Sequence, residues 1–288
     1  MQERCASRWL LVTSQPSFQR LMQAGAWSVA GATIIEALIV IVFVRYGYDS
    51  HAYWLAWRGP MYGLPPNAQD AYLYSPAFAQ LIWPIAVLPW PAFAVAFSVV
   101  LLGCLGWLLK PLPARWALPL GLAGMSEVAA GNVYLIMAVA AALGCRRPAF
   151  WAFVALTKIT PCVGPVWFMT RREWKPASLS IIVTLGITGL SWAIMPGAWN
   201  SWVEFLLHHV SDSTGAVGAQ FLPPLVLRMP VGLALLAWGA KTNRRWVIPV
   251  AMVLCTPVIG FGSFATLLAL PRVCSRCAPS GRSTRRRA

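Results

Sequence analysis

Asp49 is the residue of this chain whose type and position best suit chemistry. Only eight carboxylates occur among 288 residues. This one stands just past an apolar run, Ala24 to Val44, that Glu36 alone interrupts. Its neighbours form an aromatic tract, Tyr46-Gly-Tyr-Asp-Ser-His-Ala-Tyr-Trp54. A carboxylate in a partly dry, aromatic-lined place can take the proton of a hydroxyl as that oxygen attacks. The same residue could cap a surface helix, since Asp accepts from the open amides of a first turn. From sequence both readings stay open.

Other candidates fall into two groups. Two polar stretches, 46–73 and 197–221, hold His51, Arg58, Asp70, Glu204, His208, His209 and Asp212, including all three histidines of the chain. Imidazoles there could contact phosphate or share protons, or serve as ordinary interfacial residues. The second group lies within apolar tracts: Glu36, Glu127, Lys158 and Arg228. An ionisable group inside a bilayer costs about 2.5–3.5 kcal/mol, so it pairs or lines a pathway. Lys158 precedes Ile-Thr-Pro161, where proline breaks a helix, and is a candidate to hold an anionic phosphate. Snorkelling to an interface is its alternative. Glu127 is a candidate partner for Gly131-Asn132. Tyr46, Tyr48, Tyr53, Trp54, Trp57 and Tyr62 offer flat faces to a sugar ring, or membrane-interface belts. The acid and histidine spacings match no metal motif. Cys274 and Cys277 form a lone C-x-x-C without two further ligands. No metal and no cofactor is expected.

Membrane segments must position these residues. The chain is 58% hydrophobic and 11% charged, against about 25% charged for a soluble domain. Apolar tracts recur from 24 to 271 without the alternation of a barrel. The expected fold is an all-α polytopic membrane bundle of about eight to ten transmembrane or re-entrant helices, each full crossing needing some 20 residues. The net charge of +15 gathers in clusters between apolar runs, such as Arg146/Arg147 and Arg171/Arg172/Lys175. That distribution follows the positive-inside rule, not a nucleic-acid-binding face. Residues 1–23 carry Arg4, Arg8 and Arg20 and no uninterrupted apolar core, so a cytoplasmic N-terminal segment is expected rather than a signal peptide. A membrane domain over 24–271 follows, then a basic cytoplasmic tail, 272–288, of disordered composition. The first span, 24–45, leads outward to the loop 46–73. Breaks are expected at Gly131 within 116–145, at Lys158–Pro161 within 148–170, and at Thr256-Pro257 within 246–271. The second outer loop is 197–221.

Several short motifs follow one another in a telling order. Asp49 and Tyr53 come directly after the first span. Gly59-Pro-Met-Tyr62 and Tyr74-Ser75-Pro76-Ala77-Phe78 lead to Leu88-Pro89. Then come Gly131-Asn132-Val133-Tyr134, Lys158-Ile-Thr-Pro161 with the basic turn Arg171-Arg-Glu-Trp-Lys175, and Thr256-Pro257 with Phe261 and Phe264. This layout resembles the integral-membrane glycosyltransferases of the GT-C architecture, and more narrowly the polyprenol-phosphate-mannose-dependent mannosyltransferases of glycosyltransferase family 87. Three features depart from that pattern: Ser75 stands at a proline, one amide is missing after Gly131, and the late segment has no histidine.

The resemblance implies a multi-pass enzyme of the cell membrane, N-terminus cytoplasmic. It would move a sugar, mannose by analogy, from a polyprenyl-phosphate donor to a lipid or glycan acceptor on the extracytoplasmic side, with inversion. Asp49 would be the general base. His51, Tyr53, Tyr62, Tyr74, Asn132, Lys158, His208, His209 and Arg228 would contact substrate. Membrane lipids are partners and nucleic acid is not. A lipid or solute transporter or flippase is the competing class, since it also needs buried charges and broken helices, although no internal repeat is visible. A non-catalytic relative is the third reading.

Overall fold

The computed structural model describes residues 16–66, 68–209 and 223–274. In chain order the helices are α1 (Pro16–Phe43), α2 (Tyr48–Leu55), α3 (Pro76–Ala86), α4 (Trp90–Leu109), α5 (Ala114–Ala130) and α6 (Tyr134–Gly144). A 3-10 turn, Pro148–Phe150, leads into α7 (Trp151–Thr157). Then follow α8 (Gly164–Thr170), α9 (Trp174–Ile194), α10 (Pro196–His208), α11 (Leu225–Lys241) and α12 (Val247–Leu254). A 3-10 stretch, Phe261–Ala269, and α13 (Leu270–Cys274) complete the described elements, which include no strand. The protein is an all-α polytopic membrane protein.

Among the described residues, three helices have the length and composition to cross a bilayer: α1, α4 and α9. A fourth crossing exists if α5 and α6, bent by 120° where they meet, act as one broken span. The shorter apolar helices 76–86, 148–157 and 261–274 do not reach that length. The expected eight to ten segments therefore resolve into a few full spans and several half-helices. Gly131, Pro161 and Pro257 lie at the breaks, as the sequence indicated. Two helix bounds add to the expected layout. α1 begins at Pro16, inside the segment assigned to the N-terminal region, because proline suits a first helical turn. The stretch expected as the second outer loop, 197–221, lies partly in α10, a helix through His208. Asp212, Cys277 and the arginines of the tail beyond 274 lie outside the described residues.

Burial divides each helix by face. On α4, Phe93, Phe97, Leu101, Leu105 and Leu108 are buried, while Val95, Val99 and Leu102 are exposed. The buried set follows the helical period and looks inward; the exposed set suits lipid tails. α1 carries this further. It packs on α5 and buries only Ala30 and Thr33, leaving Val42 and Phe43 71% and 80% exposed. An apolar surface of that extent belongs in a membrane. α6 is buried on most of its surface, with Leu135, Met137, Ala138 and Ala141 fully enclosed.

Candidate active site

Two glycines form the base of the site. Gly47, between α1 and α2, has φ +71°, and Gly131, between α5 and α6, has φ +73°. Left-handed backbone is readily adopted only by glycine. The Gly47 N–H donates to the Ala129 carbonyl at 2.7 Å, which ties the start of α2 to the end of α5. Ser50, 2% exposed, then packs on Gly131, where a Cβ would lie 2.2 Å from the serine hydroxyl. The two chain reversals nest, and they bring Asp49 to Asn132.

Asn132 Nδ2 donates to Asp49 Oδ2 at 2.9 Å. The amide is held in that sense because Asn132 Oδ1 accepts the Val133 N–H at 2.7 Å. Asp49 does not cap α2. Gly47 holds the cap position, and no side chain bonds there. The carboxylate is turned into the protein.

A cation comes from another break. α7 stops at Thr157, and Lys158 leaves it in extended conformation, φ −138° and ψ 109°. Ser75, fully buried, donates to the Leu156 carbonyl at 2.5 Å and so fastens the start of α3 to the end of α7. A proline at that position would have no donor for this bond. Lys158 Nζ lies 3.7 Å from the Tyr134 ring centroid and 5.8 Å from that of Tyr74. Lys158 belongs to none of the ion pairs formed among the described residues. Tyr134 accepts a hydrogen bond from Ser263 Oγ at 3.0 Å, and Tyr53 donates to the Tyr74 hydroxyl at 3.0 Å.

Burial raises the Asp49 carboxyl above the ordinary carboxylate range, against the opposing pull of the Lys158 charge and the Asn132 hydrogen bond. Burial also pushes Tyr74 up to about 12, opposed by Lys158, and raises Tyr53 well above the usual phenol. Both tyrosines are neutral hydrogen-bonding groups at working pH. The arrangement is a carboxylate with one oxygen held and raised proton affinity, close to a cation backed by aromatic rings. It can remove a proton from a hydroxyl beside a bound anion.

Residues 72–285 match the family model of glycosyltransferase family 87. The chain belongs to that family. No curated protein and no solved structure matches it. The matched stretch takes in Tyr74, Asn132, Lys158 and the break at 255–260, while Asp49 and Tyr53 precede it.

The glycosyltransferase places the remaining expected residues elsewhere. His51 follows Asp49 by two positions, about 200° round the helix, and meets a different set of groups. Its Nδ1 contacts Asp70 Oδ1 at 2.8 Å and also Arg45, whose Nη2 reaches Asp70 at 3.3 Å. Its ring stands edge-on to Trp90, with centroids 4.6 Å apart. His51 thus braces the 46–73 segment. Tyr62 bonds the Tyr74 carbonyl at 2.8 Å and lines a cavity of about 640 Å³ with Trp57, Glu204, His208 and His209. The two histidines therefore share a cavity with Tyr62, and Lys158 does not line it.

Arg228, expected at a phosphate, lies beside the break at 255–257. It is 5% exposed and donates to the carbonyls of Pro223, Leu254, Thr256 and Pro257 at 2.6, 3.0, 2.9 and 2.9 Å. The broken helix leaves the Leu254, Thr256 and Pro257 carbonyls without amide donors, and the guanidinium supplies the missing hydrogens. Glu127 serves the Gly131 turn through its backbone: its carbonyl accepts from Gly131 and Asn132 at 2.9 and 3.3 Å. Two site residues had no role assigned from sequence. Tyr134 carried a signal, three residues after Gly131. Ser263 carried none, because it reaches Tyr134 across 129 positions.

Proposed function

We propose that this glycosyltransferase moves a sugar, mannose by family resemblance, from a polyprenyl phosphate to a hydroxyl of a lipid or glycan acceptor. The observation that carries the reading is the grip of Asn132 on one oxygen of Asp49, within electrostatic reach of Lys158. Asp49 accepts the acceptor proton as the hydroxyl oxygen attacks the anomeric carbon. The bond from that carbon to the phosphate oxygen breaks on the opposite face, so the carbon inverts. The lipid phosphate leaves with the bonding electron pair, and Lys158 offsets the charge it gains. Tyr134 and Tyr74 keep the ammonium in place by cation–π contact.

The cavity lined by Tyr62, His208 and His209 supports acceptor recognition, since aromatic faces with a few polar groups suit a saccharide. The positive-inside distribution supports a cell-membrane enzyme with a cytoplasmic N-terminus and Asp49 at the extracytoplasmic face. The transferase domain is 24–271.

The test is a screen of labelled polyprenyl-phosphate sugars against membrane acceptors, with purified wild-type protein and Asp49→Asn. Transfer by the wild type and none by the variant, with equal membrane yield, is the expected result. Undiminished turnover by Asp49→Asn would refute the role of this residue, and translocation without transfer would favour a flippase.

A further inference from the structure

Glu127 has an orphaned carboxyl oxygen at the head of a lipid-shaped groove. Its side chain is 3% exposed, and its Oε2 has no hydrogen-bond partner. Its Oε1 presses on the backbone of Gly262, where a Cβ would lie 1.7 Å away. From this carboxyl an apolar cavity of about 690 Å³ runs beside α5 as far as Trp116 and Leu112, with α1 and the 261–271 segment as its other walls. Along α5, from 116 to 127, the groove is about 16 Å long at 1.5 Å per residue. The wall hydroxyls have their donors engaged, since Thr33 donates to the Val29 carbonyl at 3.0 Å and Ser126 to that of Ala123 at 3.1 Å. Among the described residues, Glu127 is the one acid lining the cavity.

We infer that this groove receives the hydrocarbon chain of the lipid-phosphate donor, and that the Glu127 carboxyl, carrying its proton, donates a hydrogen bond to the donor phosphate. The inference rests on the donor class proposed above. One wall is a spanning helix, so the groove lies along the direction of lipid chains and is apolar along its length. Its head is within electrostatic reach of Lys158 and Asp49, where the phosphate has to sit for the sugar to face the base. A carboxylic O–H and a phosphate oxygen complement one another, whereas an ionised carboxylate would repel the anion. Glu36 of α1, whose Oε2 also lacks a partner, is a second acid within electrostatic reach of Glu127, and two neighbouring acids do not both ionise readily.

The test uses the full chain in lipid nanodiscs and a diazirine-bearing polyprenyl phosphate that has no sugar. Crosslinks are expected on residues 116–127 and 261–271. Ala32→Phe, a change at a lipid-exposed wall position, should weaken labelling about tenfold, in the range of an overpacking penalty. Glu127→Ala should weaken probe affinity about tenfold, the worth of a hydrogen bond to a charged group, while Glu127→Gln keeps an N–H donor and recovers most of it. Crosslinks elsewhere, or labelling indifferent to both Ala32→Phe and Glu127→Ala, would overturn the inference. The probe requires no turnover, so the two readings fail separately. Sugar transfer with crosslinks outside the groove removes the groove and leaves Asp49. Groove labelling with no transfer from any donor removes the glycosyl-transfer reading and leaves the groove.

Discussion

Lys158 and Arg228 are both cations in apolar sequence, each serving a helix interrupted at a proline, yet the two breaks use them in opposite ways. Arg228 gives four hydrogen bonds to carbonyls around the 255–257 break and to Pro223, and it is nearly sealed from solvent. Lys158 rests on the faces of Tyr134 and Tyr74 and joins no ion pair among the described residues. A planar guanidinium with fixed donors suits stitching a broken backbone, and a compact ammonium over aromatic rings suits receiving an anion. The same contrast divides α2, where His51 is engaged with Arg45 and Asp70 while Asp49 has one oxygen held by Asn132. A charge saturated by its own protein maintains the fold. A charge with capacity left over can act on something else.

Substitutions at these positions can break or sharpen that contrast. The largest effect is expected at Asp49, where Asp49→Asn should lower kcat/KM by about 10³-fold, within the span of general-base catalysis, with thermal stability retained. Lys158→Met should follow, at about 10²-fold in kcat/KM, as for loss of one stabilising group at a developing charge, again with little change in melting temperature. Arg228→Met should do the reverse. It strips donors from four carbonyls, each worth about 1–3 kcal/mol when left unsatisfied, so folded yield and melting temperature fall while activity per folded molecule persists. Equal behaviour of Lys158→Met and Arg228→Met in both assays would end the distinction.

A smaller effect is expected in pH dependence. Asp49 acts as a base only when ionised, and burial has raised its carboxyl. Activity is therefore lost as pH falls through that raised value. Asn132→Ala removes a hydrogen bond that favours the ionised form, so the acidic limb of the kcat/KM profile should move to higher pH. A limb that stayed in place or moved to lower pH would separate Asn132 from Asp49. The least effect on catalysis is expected for His51→Gln, which should lower stability by about 1 kcal/mol through the loss of a charged hydrogen bond and leave kcat within about twofold, a chemical-step change under 0.5 kcal/mol.

Much of the scaffold was legible in the residues. Apolar length marked the spans, and glycine and proline marked the breaks at 131, 161 and 257, because those residues act on backbone geometry wherever they stand. Position relative to the first span singled out Asp49. The partners of the histidines were not legible, since a polar residue near a membrane surface has many available and sequence does not say which one it takes. The partners of Arg228 were hidden for a related reason: its buried charge was evident, but the carbonyls it serves lie up to 29 positions away.

By itself the sequence determined a membrane-embedded helical chain, the places where its helices stop, and which scarce charges had to be accounted for. The tertiary structure decided which charge was saturated and which remained available. Asp49 meets Asn132 across 83 positions and Tyr134 meets Ser263 across 129, and both contacts exist only because separate helix breaks converge. Hydropathy and backbone preference are local properties of a chain. Hydrogen-bond saturation belongs to the fold, since it depends on which donors and acceptors the packed helices bring within reach.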